Sequence, residues 1–200
     1  MPTINQQPIN LSLMPFNSIE EIKVLMNSFG DTQYYGSPVS QLEHALQSAM
    51  LAQEAGENAK LITASLLHDL GHLVLYSNQI RNEIKTNQDY QHQELIATLL
   101  VNLFDEEVIE PIRLHVDAKR YLCAVNPLYE EQLSPDSIHS LELQGGRFNE
   151  EEVEAFRSNV HFEDAVKLRL WDDEAKTPNT ITPSLDYFLS IAESIKKIRN

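Results

Sequence analysis

Cysteine occurs once in these 200 residues, at Cys123, so no internal disulfide can form and the fold has to rest on packing. Basic side chains are scarce as well. Fifteen lysines and arginines stand against thirty aspartates and glutamates, a formal charge of -15. Such a surface repels phosphate backbones at long range and offers no basic stripe, which argues against nucleic acid as a partner. It does not argue against a small anionic substrate, because a local cluster of cations inside a cleft overrides the distant field. No stretch approaches the eighteen or so uninterrupted apolar residues of a membrane span, and the first thirty residues carry no basic and apolar leader. The expectation is a soluble protein of the reducing cytoplasm, with no membrane partner.

What is present is hydrophobic residue at helical spacing. The 42% hydrophobic content is enough for a buried core in a chain of this length. Residues 1–17 hold three prolines and no helical period, and read as an N-terminal arm; residues 18–200 read as one all-α domain, with no strand pattern, repeat or low-complexity segment. Ser18 followed by Glu21 marks a helix start and Gly30 its stop. QLEHALQSAMLAQEAG and NAKLITASLLHDLGHLVLY read as the next two helices, the second hydrophobic enough to cross the middle of the domain. YQHQELIATLLVNLF and EEVIEPIRLHVDAKRYLC follow, with Pro111 expected to kink the latter or mark its first turn. After a loop around Asn126 and Pro127 come a short helix capped by Ser134, two more helices through Lys176, and a final one whose last turn is expected to hold Lys196, Lys197 and Arg199.

The candidate chemistry lies in His44, His68, Asp69, His92, His115 and Asp172. An HD dipeptide alone says little, and one histidine within an apolar helix is ordinarily a satisfied core group. Four imidazoles and two carboxylates on neighbouring helices are different: they are the nitrogen and oxygen ligands that iron, manganese and zinc accept, with no thiolate among them. The set suits two metal ions better than one. Asp69 has two oxygens and can bridge, leaving His44, His68 and Asp172 to one ion and His92 and His115 to the other.

The runs QLEHALQSAMLAQEAGENAKLITASLLHDLGH, HVDAKRY, LELQGG and LRLWDDEAK carry a resemblance that extends from Tyr34 to Lys176. They resemble the HD-domain mixed-valent di-iron oxygenases, the family of organophosphonate dioxygenases and, more distantly, of myo-inositol oxygenase. The resemblance implies an HD-domain helical bundle, two iron ions (Fe(II)/Fe(III)), dioxygen as co-substrate and a small phosphonate as substrate. It assigns the six residues above as iron ligands and places catalytic roles on Asp69, His72 and Lys119. Its substrate contacts fall on His72, Lys119, Ser137, Ser140, Gln144 and Arg169, which are donors or cations, as a phosphonate's acceptor-only oxygens require. Tyr34 matches a tyrosine that occupies an iron until substrate displaces it. Ser37 departs from the pattern, standing where the family has a glutamate that meets a substrate ammonium.

Blander readings apply to several of these positions. Lys119 and Arg120 could be an exposed basic pair, Arg169 only the ion-pair partner of Asp172, and Tyr34 and Tyr35 plain packing aromatics. Asp173 and Glu174 look like a solvated charge run, and His139 and His161 match nothing. Two further functions also fit the same ligand set: an HD-type metal-dependent phosphohydrolase acting on a nucleotide or other phosphate ester, and a non-catalytic metal or ligand sensor.

Overall fold

The computed structural model describes residues 14–34, 37–79 and 91–198. The helices among them are α1 (Ile19–Phe29), α2 (Gln41–Glu54), α3 (Ala59–Leu67), α4 (Leu70–Gln79), α5 (His92–Leu100), α6 (Glu106–Val125), α7 (Pro127–Glu131), α8 (Pro135–Leu143), α9 (Glu150–Arg157), α10 (Phe162–Glu174) and α11 (Leu185–Ser194). The described residues contain no β-strand, only one isolated bridge between Gln33 and Ser40. None of their helices is long and apolar enough to cross a membrane.

Local chemistry sets the helix starts. Ser18, Ser40, Asn58, Asn126, Ser134, Asn149 and Ser184 each accept a backbone N–H of the turn that follows. Ser40 with Glu43 and Asn149 with Glu152 complete reciprocal capping boxes. The apolar centre is α3, whose residues from Leu61 to Leu67 are all buried. It packs against α2, α6, α10 and α11. Leu61, Leu66, Leu67, Ile96, Leu100, Ile112 and Phe188 meet in this core with almost no exposure, each contributing ~1.5–3 kcal/mol by burial. Phe16, at the end of the expected arm, is also buried here and its N–H donates to the Leu99 carbonyl. The rest of the arm, residues 1–13, lies outside the described residues.

Three sequence expectations need correction. NAKLITASLLHDLGHLVLY is not one helix: it breaks at His68 and Asp69, between α3 and α4. The His68 ring Nδ1 lies 2.9 Å from the Ser65 carbonyl, the acceptor that an uninterrupted helix would offer to the Asp69 N–H. The supposed loop at Asn126 is followed at once by α7, started by the Asn126 side chain and Pro127. Lys196 and Lys197 lie beyond the end of α11 instead of in its last turn. Lys197 serves another helix, its N–H donating to the Leu103 carbonyl and its Nζ to the Val101 carbonyl just past α5. Pro111 sits within α6, past its first turn, and the helix runs on through Val125.

Gly71 fixes how close α4 comes to the start of α5. A Cβ at this position would stand 2.2 Å from the His92 carbonyl oxygen. Gly71→Ala therefore forces the two helices apart, at ~1–3 kcal/mol of overpacking. The expected result in thermal denaturation is a fall of roughly 2–10 °C in melting temperature. An unchanged melting temperature would mean that His92 can move away freely.

Candidate metal centre

Six side chains from five places in the chain converge in the interior, and all six are buried. His44 comes from the first turn of α2, His68 and Asp69 from the α3–α4 break, His92 from the first position of α5, His115 from α6 and Asp172 from α10. Neighbours on a helical turn point about 100° apart, yet His68 and Asp69 reach one point, with Nε2 and Oδ2 3.5 Å apart.

The geometry divides into two halves about one carboxylate. Asp69 Oδ2 lies 3.5 Å from both His44 Nε2 and His68 Nε2, while Oδ1 lies 3.3 Å from His92 Nε2 and 3.6 Å from His115 Nε2. The two Nε2 atoms in each half are 3.2 Å apart. Asp172 Oδ1 joins the first half, 3.3 Å from His44 Nε2 and 3.9 Å from His68 Nε2. On the far side of three rings, Nδ1 meets a carbonyl oxygen: His44 that of Ala175 at 2.9 Å, His68 that of Ser65 at 2.9 Å, His115 that of Ile112 at 2.7 Å. A carbonyl only accepts, so Nδ1 carries the proton and Nε2 is left as the ligand atom, as in metal-bound histidines. At the ~2.1 Å of a metal–imidazole bond, a 3.2 Å nitrogen separation corresponds to roughly 100° at the ion. Among the described residues two groups have the spacing of a metal site: His44, His68, Asp69 and Asp172, and Asp69 with His92 and His72, whose Nε2 lies 3.9 Å from Asp69 Oδ1.

The electrostatics point the same way. Burial tends to raise the Asp69 and Asp172 carboxyls, but His68, His44 and His92 around the first and Arg169 and Lys176 beside the second hold both well below the usual carboxylate range. Burial pulls His44 down, yet the hydrogen bonds of Asp172 and Asp69 carry it up to about 9. These carboxylates demand positive charge, and a metal ion meets that demand while releasing the proton. In the other half, burial and the neighbouring imidazoles keep His115 well below its ordinary value. His72, stacked on His92 with centroids 3.9 Å apart, is pushed down to about 3 by burial and His92.

A cavity of about 1050 Å³ opens onto this centre. Of the expected substrate contacts, Tyr34, Ser37, His72, Ser137, Ser140, Gln144 and Arg169 all line it. Tyr34 stacks on His44 and its hydroxyl donates to Asp172 Oδ1 at 3.3 Å. Ser37 Oγ and Gln144 Oε1 are buried without a hydrogen-bond partner. Lys119 is placed differently: it does not line the cavity but stands behind Ser140, its Nζ donating to Ser140 Oγ at 2.6 Å. It is also no exposed partner of Arg120, being 2% exposed, whereas Arg120 binds the Gly146 carbonyl and Glu152. Tyr35 lies outside the described residues. His139 is exposed at the cavity rim, and His161 precedes α10 without a side-chain cap bond.

Three residues of the site were not signalled by the sequence reading. Lys176 lines the cavity, its Nζ 3.8 Å from Asp172 Oδ1 and 5.8 Å from the Tyr34 ring centre. Asp173 is half-buried against Arg169 instead of solvated, and Tyr129 of α7 bonds to both. The i, i+4 spacing of Arg169 and Asp173 was a visible signal. Nothing comparable announces Tyr129, because it depends on α7 folding back.

The HD-domain family model matches residues 42–140. The hydroxymethylphosphonate dioxygenase of Gimesia maris is 40% identical over 186 residues, covering 93% of this chain and 92% of that protein. The chain belongs to the HD-domain phosphonate dioxygenases. A second relative in this family, the 1-hydroxy-2-(trimethylamino)ethylphosphonate dioxygenase (glycine-betaine-forming) of Leisingera caerulea, is 36% identical over 177 residues, 88% of this chain and 89% of that protein. The phosphonate dioxygenase similarity thus spans the helices that carry all six buried ligand-type residues.

Lys119 yields a pH prediction for this phosphonate dioxygenase. Burial, reinforced by Arg169, lowers its pKa to about 7 from an ordinary 10.5. The unfolded chain therefore binds more protons than the folded one between those values, so this residue's contribution to stability rises as pH rises from 7 to 10.5 and is lost as pH falls through 7. Replacing Lys119 with Met removes that penalty. Lys119→Met is expected to melt higher than the wild type at pH 6–7, with the gap closing toward pH 10. A lower melting temperature at pH 6–7 would show that the ammonium is structurally required.

Proposed function

We propose that the protein is a di-iron oxygenase that cleaves the C–P bond of a 1-hydroxyphosphonate with dioxygen, giving phosphate and a carboxylate. The observation that supports this reading best is Asp69, whose two oxygens face different histidine pairs in a chain 40% identical to a phosphonate dioxygenase. His44, His68 and Asp172 would hold one iron and His92 and His115 the other, with Asp69 bridging. Bound there, a pair of Fe(II)/Fe(III) ions supplies the redox chemistry for removing hydrogen from C1 and activating dioxygen. The balance is one phosphonate and one dioxygen to one carboxylate and one phosphate, each product gaining one oxygen.

The chain's own groups bind and orient. Arg169 has five N–H donors and spends three of its N–H directions on Tyr129, Asp173 and Asp172, leaving two for the phosphonate. Ser137, Ser140 and the Gln144 amide line the same wall, and Lys119 places a cation behind Ser140 that offsets charge on the departing phosphate. His72, held neutral by burial and His92, is suited to exchange a hydrogen bond with the substrate hydroxyl. Tyr34, whose hydroxyl reaches Asp172 Oδ1, would occupy an iron until the substrate displaces it.

The test is dioxygen uptake with hydroxymethylphosphonate. Uptake and phosphate release in equal amounts are expected, and both should cease without oxygen. Phosphate release that continues anaerobically would favour the phosphohydrolase reading. The purified protein should hold two iron ions per chain, falling toward one in His92→Ala or His115→Ala with helicity preserved. Full occupancy in both variants would remove those histidines from the site.

Ser37 bears on the substrate's far end. A neutral hydroxyl supplies at most roughly half the interaction of a carboxylate with a primary ammonium. The wild type is therefore expected to oxidise hydroxymethylphosphonate or a trimethylammonium substrate in preference to an aminoethyl one, and Ser37→Glu to shift preference toward the primary amine. A wild type that already favours the amine as strongly as Ser37→Glu would place the carboxylate on another residue.

A further inference from the structure

We infer that Tyr129 and Asp173 are positioning residues: they hold the Arg169 guanidinium so that Asp172 offers one oxygen to the metal site and Arg169 keeps two N–H groups for an anion in the cavity. The inference deepens the reading above and rests on Asp172 as a ligand.

The contacts form one network, with Lys176 at its edge, its Nζ 3.7 Å from Asp173 Oδ1 and 3.8 Å from Asp172 Oδ1. Arg169 and Asp172 are i, i+3 on α10, and Arg169 and Asp173 are i, i+4, so all three share a face. Arg169 Nη1 lies 2.7 Å from Asp172 Oδ2, which occupies that oxygen and leaves Oδ1 facing His44 and His68. Arg169 Nε donates to Asp173 Oδ2 at 3.0 Å and to the Tyr129 hydroxyl at 3.1 Å, and Nη2 donates to Asp173 Oδ1. Tyr129 in turn donates to Asp173 Oδ2. A two-point grip on the Nε, Nη2 edge fixes the plane of the guanidinium, and the plane fixes where Nη1 points. Without that grip, Arg169 is a long side chain held only by Asp172, free to chelate it and turn Oδ2 about.

The brace is assembled from separate parts of the chain. Tyr129 is 7% exposed, packed with Cys123 and Leu141 where α7 folds back on α6 and α8. Its hydroxyl acts through Arg169, and Asp173 acts through two hydrogen bonds from Arg169 and, at 3.7 Å, through Lys176. Outer partners of this kind typically alter metal affinity or activity by roughly 10- to 100-fold when removed.

The test uses the full chain freed of metal, with Co(II) as probe and its visible absorption as readout of coordination. Asp173→Asn is expected to weaken Co(II) binding in one of the two sites by roughly 10- to 100-fold and to alter the Co(II) spectrum, and Asp173→Glu to restore most of the affinity. Tyr129→Phe, which removes one oxygen, is expected to weaken inorganic phosphate binding to the Co(II)-loaded protein and to raise KM for the phosphonate more than it lowers kcat. If both variants merely melt lower while Co(II) spectrum, phosphate affinity and KM match the wild type, the brace is structural only and the inference is overturned. Absence of any Co(II) binding by the wild type would overturn the metal reading and the brace together.

Discussion

Asp69 cannot be satisfied by any single neighbour. It is a buried carboxylate with two oxygens aimed at different imidazole pairs, and α2, the end of α3, α5 and α6 must each deliver an imidazole within 3.6 Å of it. That requirement accounts for features that look like defects when taken alone. The central helix breaks at the HD dipeptide because His68 spends the Ser65 carbonyl on its own ring. Gly71 stands where any side chain would strike the His92 carbonyl, so α5 can begin close enough to contribute its first residue. The residue before it, Gln91, takes a left-handed conformation at φ 46°, an uncommon one for a residue with a Cβ. Strain of this sort persists where the surroundings over-determine it, and it clusters at working sites.

The charge balance of the chain reverses locally. A chain with twice as many acids as bases buries Arg169 and Lys119 close enough to affect each other and sets Lys176 at the cavity wall. An anionic substrate is disfavoured by the distant field and favoured at the cavity wall, where a partly buried cation acts more strongly than one in bulk water. Lys119 carries the cost of this arrangement: an ammonium buried at 2% exposure has its charged form destabilised, and an anion on the far side of Ser140 would offset part of that cost.

Much of this was legible from the sequence, and the reasons are physical. Histidine and aspartate are chemically distinctive, so the buried cluster of four histidines, Asp69 and Asp172 could be collected by residue type and by its place in or beside apolar periodic segments. Ser18, Ser134 and Pro135 mark helix starts through local hydrogen bonding, which needs no knowledge of the fold. What escaped depends on distance in the chain. The α3–α4 break falls inside an unbroken apolar pattern and arises from side-chain competition for one carbonyl. Asp173 reads as part of an acidic run until Tyr129, forty-four residues away in sequence, is brought beside it. Lys119 reads as one of a surface pair because the sequence does not reveal which of Lys119 and Arg120 turns inward.

Both ends of the described chain fasten on the same spot. Phe16 donates to the Leu99 carbonyl, and Lys197 donates to the Leu103 and Val101 carbonyls, so the exit of α5 is clasped from two sides while its entrance supplies His92. A nine-residue helix is about 13 Å long and too stiff to absorb a shift at one end without passing it to the other. Phe16 and Lys197 are therefore mechanically connected to the buried histidine cluster, and a load applied at Lys197 pulls on the same strut that sets the position of His92.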